Sequence, residues 1–241
     1  MKSLIAFYNI LKKDIKNYYL KPPNISWGII FPLSWTLMQL LRSPDDNILN
    51  LLPGLISTSV LFGTTSMLAV TITFERSGRS FERLLLAPIS LNVLLLAKIT
   101  GTIVFGIFNA FVPIVFASIL IDLSTVNWMM VLLAVLMMAI TSSLTGLLIA
   151  VSVEQVFEAQ TLANFFRFPM LFLCGLFIPL SSLPAFLKPV SYCLPLTYGA
   201  DILKGAITDN NAFSLTLSLI MLLLFTAGLF IISRYNIKKR Q

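Results

Sequence analysis

Six long apolar runs dominate this chain, at residues 25–41, 51–74, 93–121, 126–153, 165–180 and 213–233. A helix needs about 20 apolar residues to cross the hydrocarbon core of a bilayer, with a usable range of roughly 17–25. Each run qualifies; the fifth is short, and the third and fourth are long enough to tilt. Pro32 and Pro113 fall inside runs and are expected to kink them locally. Only 11% of the 241 residues are charged and 57% are hydrophobic, whereas soluble domains carry about 25% charged residues. Lipid is the solvent that makes such a composition workable. The reading is an all-α integral membrane protein: one transmembrane domain over 1–241, with no room for a sizeable soluble unit.

Residues 3–20 are not a span. Leu4, Tyr8, Leu11, Ile15 and Tyr18 recur every three or four positions, with Lys2, Asn9, Lys12, Lys13, Lys16 and Asn17 opposite. This pattern predicts an interfacial amphipathic helix within 1–24, ended by Pro22-Pro23. No cleavable signal peptide is evident, so the first span is expected to act as its own insertion signal.

Loop charges give the orientation. With the N-terminus cytoplasmic, the inside holds Lys2, Lys12, Lys13, Lys16, Lys21, Arg76, Arg79, Arg83, Lys98, Arg167, Arg234, Lys238, Lys239 and Arg240. The outside holds only Arg42, Lys188 and Lys204. The expectation is a multi-pass cytoplasmic-membrane protein with six spans and both termini inside. The net charge of +7 does not imply nucleic-acid binding, because the basic residues flank spans and form no continuous stripe.

Several chemistries are disfavoured. There is no histidine, which removes the commonest metal ligand and the commonest general base. No acidic residue lies mid-span, which argues against a buried-carboxylate proton relay. No Gly-x-x-x-x-Gly-Lys-Ser/Thr phosphate loop occurs. Cys174 and Cys193 flank an outer turn, so pairing is conceivable; the alternative is two small apolar residues. Secondary transport and a non-transporting scaffold remain open alternatives.

Two segments stand out. Across 75–90, Glu75, Arg76, Arg79, Glu82 and Arg83 place both charge signs on a short predicted helix. Leu84, Leu85 and Leu86 give it an apolar end, and Pro88 re-aims the chain. Such an element suits docking on another protein, or lying on lipid as a connector. Across 181–211, Pro184 after Ser182 suggests a first helical turn, with Leu183, Phe186, Leu187 and Val190 on one face. Leu194-Pro195 breaks the segment, and Thr197 is expected to cap a second short helix through Lys204. That predicts either an extracytoplasmic re-entrant helical hairpin or a surface-lying one. Inside spans, Gln39, Asn109, Thr141, Ser142, Ser143, Thr145 and Asn164 are candidates for a translocation path, though small hydroxylated residues also serve plain helix packing. Arg167, at the start of span five, is expected to snorkel to the inner surface. Glu154 and Glu158 are expected to be solvated in the loop 154–164.

The pattern Glu75-Arg76…Gly78…Leu84-Leu85…Ala87-Pro88-Ile89-Ser90…Ala97-Lys98 resembles the coupling segment of type-2 ABC transporter permeases. The run Cys174-Gly175…Pro179-Leu180-Ser181-Ser182-Leu183-Pro184…Leu194-Pro195-Leu196-Thr197-Tyr198…Asp201…Lys204 resembles the same family's fifth span and external hairpin. The likeness spans essentially the whole chain and leans toward the drug- and antibiotic-exporting branch. It implies an exporter half-channel that forms a homodimer and pairs with two ATP-binding subunits, which hold the ATP and Mg. It makes Glu75, Arg76, Gly78, Arg79, Glu82, Arg83, Leu84, Leu85 and Pro88 the ATPase-coupling residues. Pro179, Leu183, Pro184, Phe186, Pro195, Tyr198, Asp201 and Lys204 become an outer gate. The cargo would be a small amphipathic molecule, drug or lipid. The chain would have no enzymatic site, metal or cofactor of its own.

Overall fold

The computed structural model describes residues 2–19, 21, 26, 30–31, 33–34, 37–38 and 48–239. The first apolar run, with Pro32 and Gln39, lies largely outside them.

Among the described residues the chain is helical. Helix α1 covers Lys2–Asp14 and widens into a π-type turn over Ile15–Tyr19. Helix α2 covers Ile48–Ser77, the short α3 Ser80–Leu85, α4 Leu91–Leu120 and α5 Trp128–Ser152. Helix α6 covers Val156–Leu173, α7 Lys188–Tyr192, α8 Pro195–Thr208 and α9 Leu215–Lys239. Four of these, α2, α4, α5 and α9, are long and apolar enough to cross a membrane.

The helix starts are chemically explained. The Ser90 hydroxyl accepts from the Val93 amide, and Asn127 Oδ1 accepts from the Met130 amide. Helix α6 corrects the sequence reading. It begins at Val156, inside the expected loop, and stops at Leu173, short of 180. Glu158 accepts from the backbone amides of Glu154 and Gln155, forming a capping box that starts the helix nine residues early. Its polar first turns keep α6 out of the group of membrane-length apolar helices.

Helix α2 is the bundle's axis. It packs against α4, α5, α6 and α8, and 94% of its apolar window is buried by protein. For α9 the share is 11%, so α9 is the peripheral helix. The α2 core carries many hydroxyls, which would each cost roughly 1–3 kcal/mol if left unpaired away from water. Four of them, Ser57, Thr58, Thr64 and Thr73, donate to the carbonyls of Pro53, Gly54, Val60 and Ala69, one turn back, at 2.7–2.8 Å, while Ser59, Thr65 and Ser66 have no partner among the described residues.

Close approach of α2 and α5 depends on Gly146. A Cβ there would run into the Thr65 backbone, with Thr65 Cα and C at only 3.2 Å. Backbone cannot swing aside as a side chain can. Gly146→Val is therefore expected to cost about 1–3 kcal/mol or more. It should appear as a lower melting temperature and reduced monodisperse yield in detergent.

Candidate functional site

At one end of the bundle, α3 stands as a short bracket between α2 and α4. The turn into it places Arg79 in the left-handed region, at φ 54°. Phe81 is buried and anchors α3, packing with Leu68, Ile72, Leu94, Leu95 and Leu147. Gly78, Arg79, Glu82, Arg83, Leu86 and Pro88 are exposed, while Leu84 and Leu85 are half-buried. Leu86 is 86% exposed, the most exposed large apolar side chain among the described residues. Ile72, Arg76, Phe81, Glu82, Leu85, Leu86, Val151 and Ile237 line a groove of ≈ 510 Å³ beside α3.

Two residues assigned to this exposed face lie elsewhere. Glu75 belongs to the last turns of α2, not to α3, and is fully buried. Arg76 donates from Nη1 to the carbonyl oxygens of Ala150 and Val153, at 3.0 and 3.3 Å, tying α2 to the end of α5.

Glu75 is part of a charge cluster that the sequence pattern conceals. Its carboxylate meets Lys13 Nζ at 2.5 Å and Lys98 Nζ at 2.6 Å. Lys98 Nζ also reaches Asp14 at 3.0 Å, and Lys13 reaches Asp14 at 3.3 Å. Asp14, Glu75 and Lys98 are all buried. Burial pushes the Asp14 carboxyl above its ordinary value, against the pull of Lys98. Burial works the other way on Lys13, yet Glu75 and Asp14 hold its ammonium above the usual lysine value. The expected clean split of α1 into apolar and basic faces is thus corrected. Asp14 and Ile10 point inward, whereas Leu4, Ile5 and Tyr8 are exposed.

At the opposite end of the bundle, α7 and α8 make up the segment expected to be an external hairpin, with different bounds from those expected. Residues 180–182 make a single 3-10 turn, and α7 starts at Lys188, so Pro184 begins no helix. Helix α8 starts at Pro195 and runs on to Thr208. Thr197 does not cap it; its hydroxyl donates to the Ser191 carbonyl at 2.6 Å. Pro195, Tyr198, Asp201 and Leu183 are buried, while Pro179, Pro184 and Phe186 are exposed. Tyr198 donates to the Tyr192 carbonyl at 2.9 Å, and its ring lies against Phe213 and Phe225. Lys204 Nζ donates to the carbonyl of Gly175, which has φ 84°. A cavity of ≈ 220 Å³ gathers Pro179, Thr197, Asp201 and Lys204 with Cys174 and Gly175. Cys174 is buried, Cys193 is exposed, and both are free thiols.

Asp201 organises this end. Its carboxylate accepts from the Ala212 and Phe213 amides, at 2.6 and 3.3 Å, and from the Ser218 hydroxyl at 3.3 Å. Asp201→Ala would strip the acceptor from three donors where α8 returns into α9. The expected cost is about 1–3 kcal/mol, visible as faster amide exchange across 209–218.

Between the ends, Asn109 is fully buried, faces Gly63 of α2, and has neither amide atom hydrogen-bonded among the described residues. Thr141 and Thr145 donate to the carbonyls of Met137 and Thr141 within α5. Ser143 accepts from Thr102 across the α4–α5 contact at 3.0 Å. These hydroxyls are hydrogen-bonded within the α4–α5 pair. Arg167 does not snorkel: it is fully buried, donates to Asn164 Oδ1 and the Ala163 carbonyl, and lies 4.4 Å from the Phe62 ring centroid. Asn164 thus orients an arginine.

Comparison with known proteins gives this arrangement a context. The family model described as ABC-2 type transporter matches residues 5–208. The inner membrane transport permease YadH of Escherichia coli (strain K12) is 24% identical over 182 residues, covering 76% of this chain and 71% of that protein. The YadH protein of Shigella flexneri matches with the same identity and coverage.

Proposed function

The chain belongs to the ABC-2 type transporter family, and on that premise we propose that it is the permease subunit of an ATP-driven exporter. The carrying observation is α3. It is a short bracket with exposed Arg79, Glu82, Arg83 and Leu86, anchored by buried Phe81 and joined at both ends to membrane-length helices. A rigid knob of mixed charge with one protruding leucine suits a socket on a separate protein. A push on it is delivered directly to α2 and α4.

On this reading two copies of the chain pair with two ATP-binding subunits, which hold ATP and Mg. The bundle has six spans, counting the run at 25–41 and α6, with both termini and α3 in the cytoplasm. Helices α7 and α8 dip back toward the outer leaflet and close the path there. An interior that mixes apolar side chains with buried hydroxyls and the unpaired amide of Asn109 favours a small amphipathic cargo, a drug or a lipid, over a hydrophilic polymer.

The test is copurification. The detergent-solubilised chain is mixed with the ATP-binding-cassette ATPases of its own cell, and ATP turnover of any complex is measured. A stable complex whose hydrolysis depends on this chain is the expected result. A folded preparation that captures none of them would overturn the proposal in favour of a secondary transporter or a scaffold.

A further inference from the structure

We propose that Lys13, Asp14, Glu75 and Lys98 form a latch that makes α1 move as one body with the coupling bracket α3. The proposal rests on the permease reading and goes beyond it by assigning these four side chains as positioning residues.

Glu75 lies just before α3 in the chain, and Lys98 lies in the second turn of the helix that follows it. Lys13 and Asp14 come from α1. Each acid and each lysine therefore pairs across elements: Lys13 with Glu75, Asp14 with Lys98, and Glu75 with Lys98. Helix α1 grips both flanks of the bracket at once.

Shape reinforces charge. A Cβ on Gly101 would meet Tyr19 Oη at 2.7 Å and Leu11 Cδ1 at 3.0 Å, so the missing side chain lets α1 and its π-type turn seat on α4. The Tyr19 hydroxyl donates to the Lys98 carbonyl at 3.4 Å, and the rings of Tyr18 and Phe74 meet edge-on at 6.0 Å. Apolar contacts alone would let an amphipathic helix slide along its neighbours. Buried ion pairs fix one register, because any shift strands a charge away from water. Stability as such would be served as well by apolar residues of the same volume.

The test separates latch from ballast. Among the described residues, the double substitution Glu75→Gln with Lys98→Met removes every ion pair between α1 and its neighbours. It leaves Lys13 and Asp14 as a balanced pair on one helix, so no buried charge is stranded. The readout is labelling of exposed Cys193, on the outer element, by a membrane-impermeant maleimide in the complete complex with its ATPase. Labelling is compared in the nucleotide-free state and after trapping with ATP and vanadate. The native complex is expected to show a several-fold change between these states. The double variant is expected to assemble and hydrolyse ATP while losing that change. A variant that keeps the change overturns the latch and leaves the permease reading intact. A native complex that hydrolyses ATP without altering Cys193 labelling overturns it too, since nothing reaches the outer element. Failure of any ATPase to bind the native chain would instead sink the permease reading itself.

Discussion

Glu75→Ala is expected to destabilise the folded chain by about 3 kcal/mol, the low end of the cost of removing one partner from a buried ion pair, because buried Lys98 keeps Asp14 as a counter-ion. The carboxylate answers two lysines, at 2.5 and 2.6 Å, and Lys98 is itself buried. Without Glu75, Asp14 alone must balance both ammonium groups, buried Lys98 and one-third-exposed Lys13. Folding free energies of about 5–15 kcal/mol are typical, so a loss of this size removes a large share of the margin. The measurement is thermal unfolding in detergent, read with protease sensitivity of α1, which should fray first. Glu75→Gln with Lys98→Met should recover most of the loss, because balanced removal of a buried pair is often close to neutral. A small effect of Glu75→Ala alone would mean that water reaches the cluster.

Arg83→Glu combined with Leu86→Glu is expected to leave folding intact and to weaken the ATPase complex by at least about 30-fold. An interface hot spot is worth about 2 kcal/mol or more, and every 1.4 kcal/mol is tenfold in affinity. Both side chains are exposed, so neither substitution disturbs the bundle. Arg76 is a poor choice for this test. It satisfies two carbonyls at the end of α5, and reversing its charge would damage the fold as well as the interface. Titration of the partner onto the immobilised chain gives the affinity ratio. Unchanged binding would move the contact surface away from α3.

Much of the architecture is legible in hydropathy. The runs at 51–74, 93–121, 126–153 and 213–233 anticipate α2, α4, α5 and α9 to within a few residues, except that α9 runs on to Lys239. A membrane span is a local property of the chain, so a local pattern finds it. The charge cluster is not local. Lys13 and Glu75 are 62 positions apart, and Asp14 and Lys98 are 84 apart. Nothing in the spacing distinguishes these four from solvated neighbours such as Lys12 and Lys16. Helix α6 did carry a readable signal. Gln155 and Glu158 stand in capping-box spacing, but low hydropathy hid the start they mark. The bounds of α7 and α8 depend on contacts beyond the turns themselves, Lys204 with Gly175 at 29 positions and Asp201 with Ala212 at 11, which turn chemistry alone does not encode.

The contrast between α2 and α9 has a practical side. A fluorophore or spin label needs a site where the attachment displaces nothing. Helix α2 offers almost none, since protein surrounds it on every face. Helix α9 runs along the outside, with Ile220, Leu223, Leu224, Ile231 and Ile232 exposed. A cysteine introduced there would carry a probe along a helix long and apolar enough to cross a membrane, and the attachment would leave the packed core around α2 undisturbed.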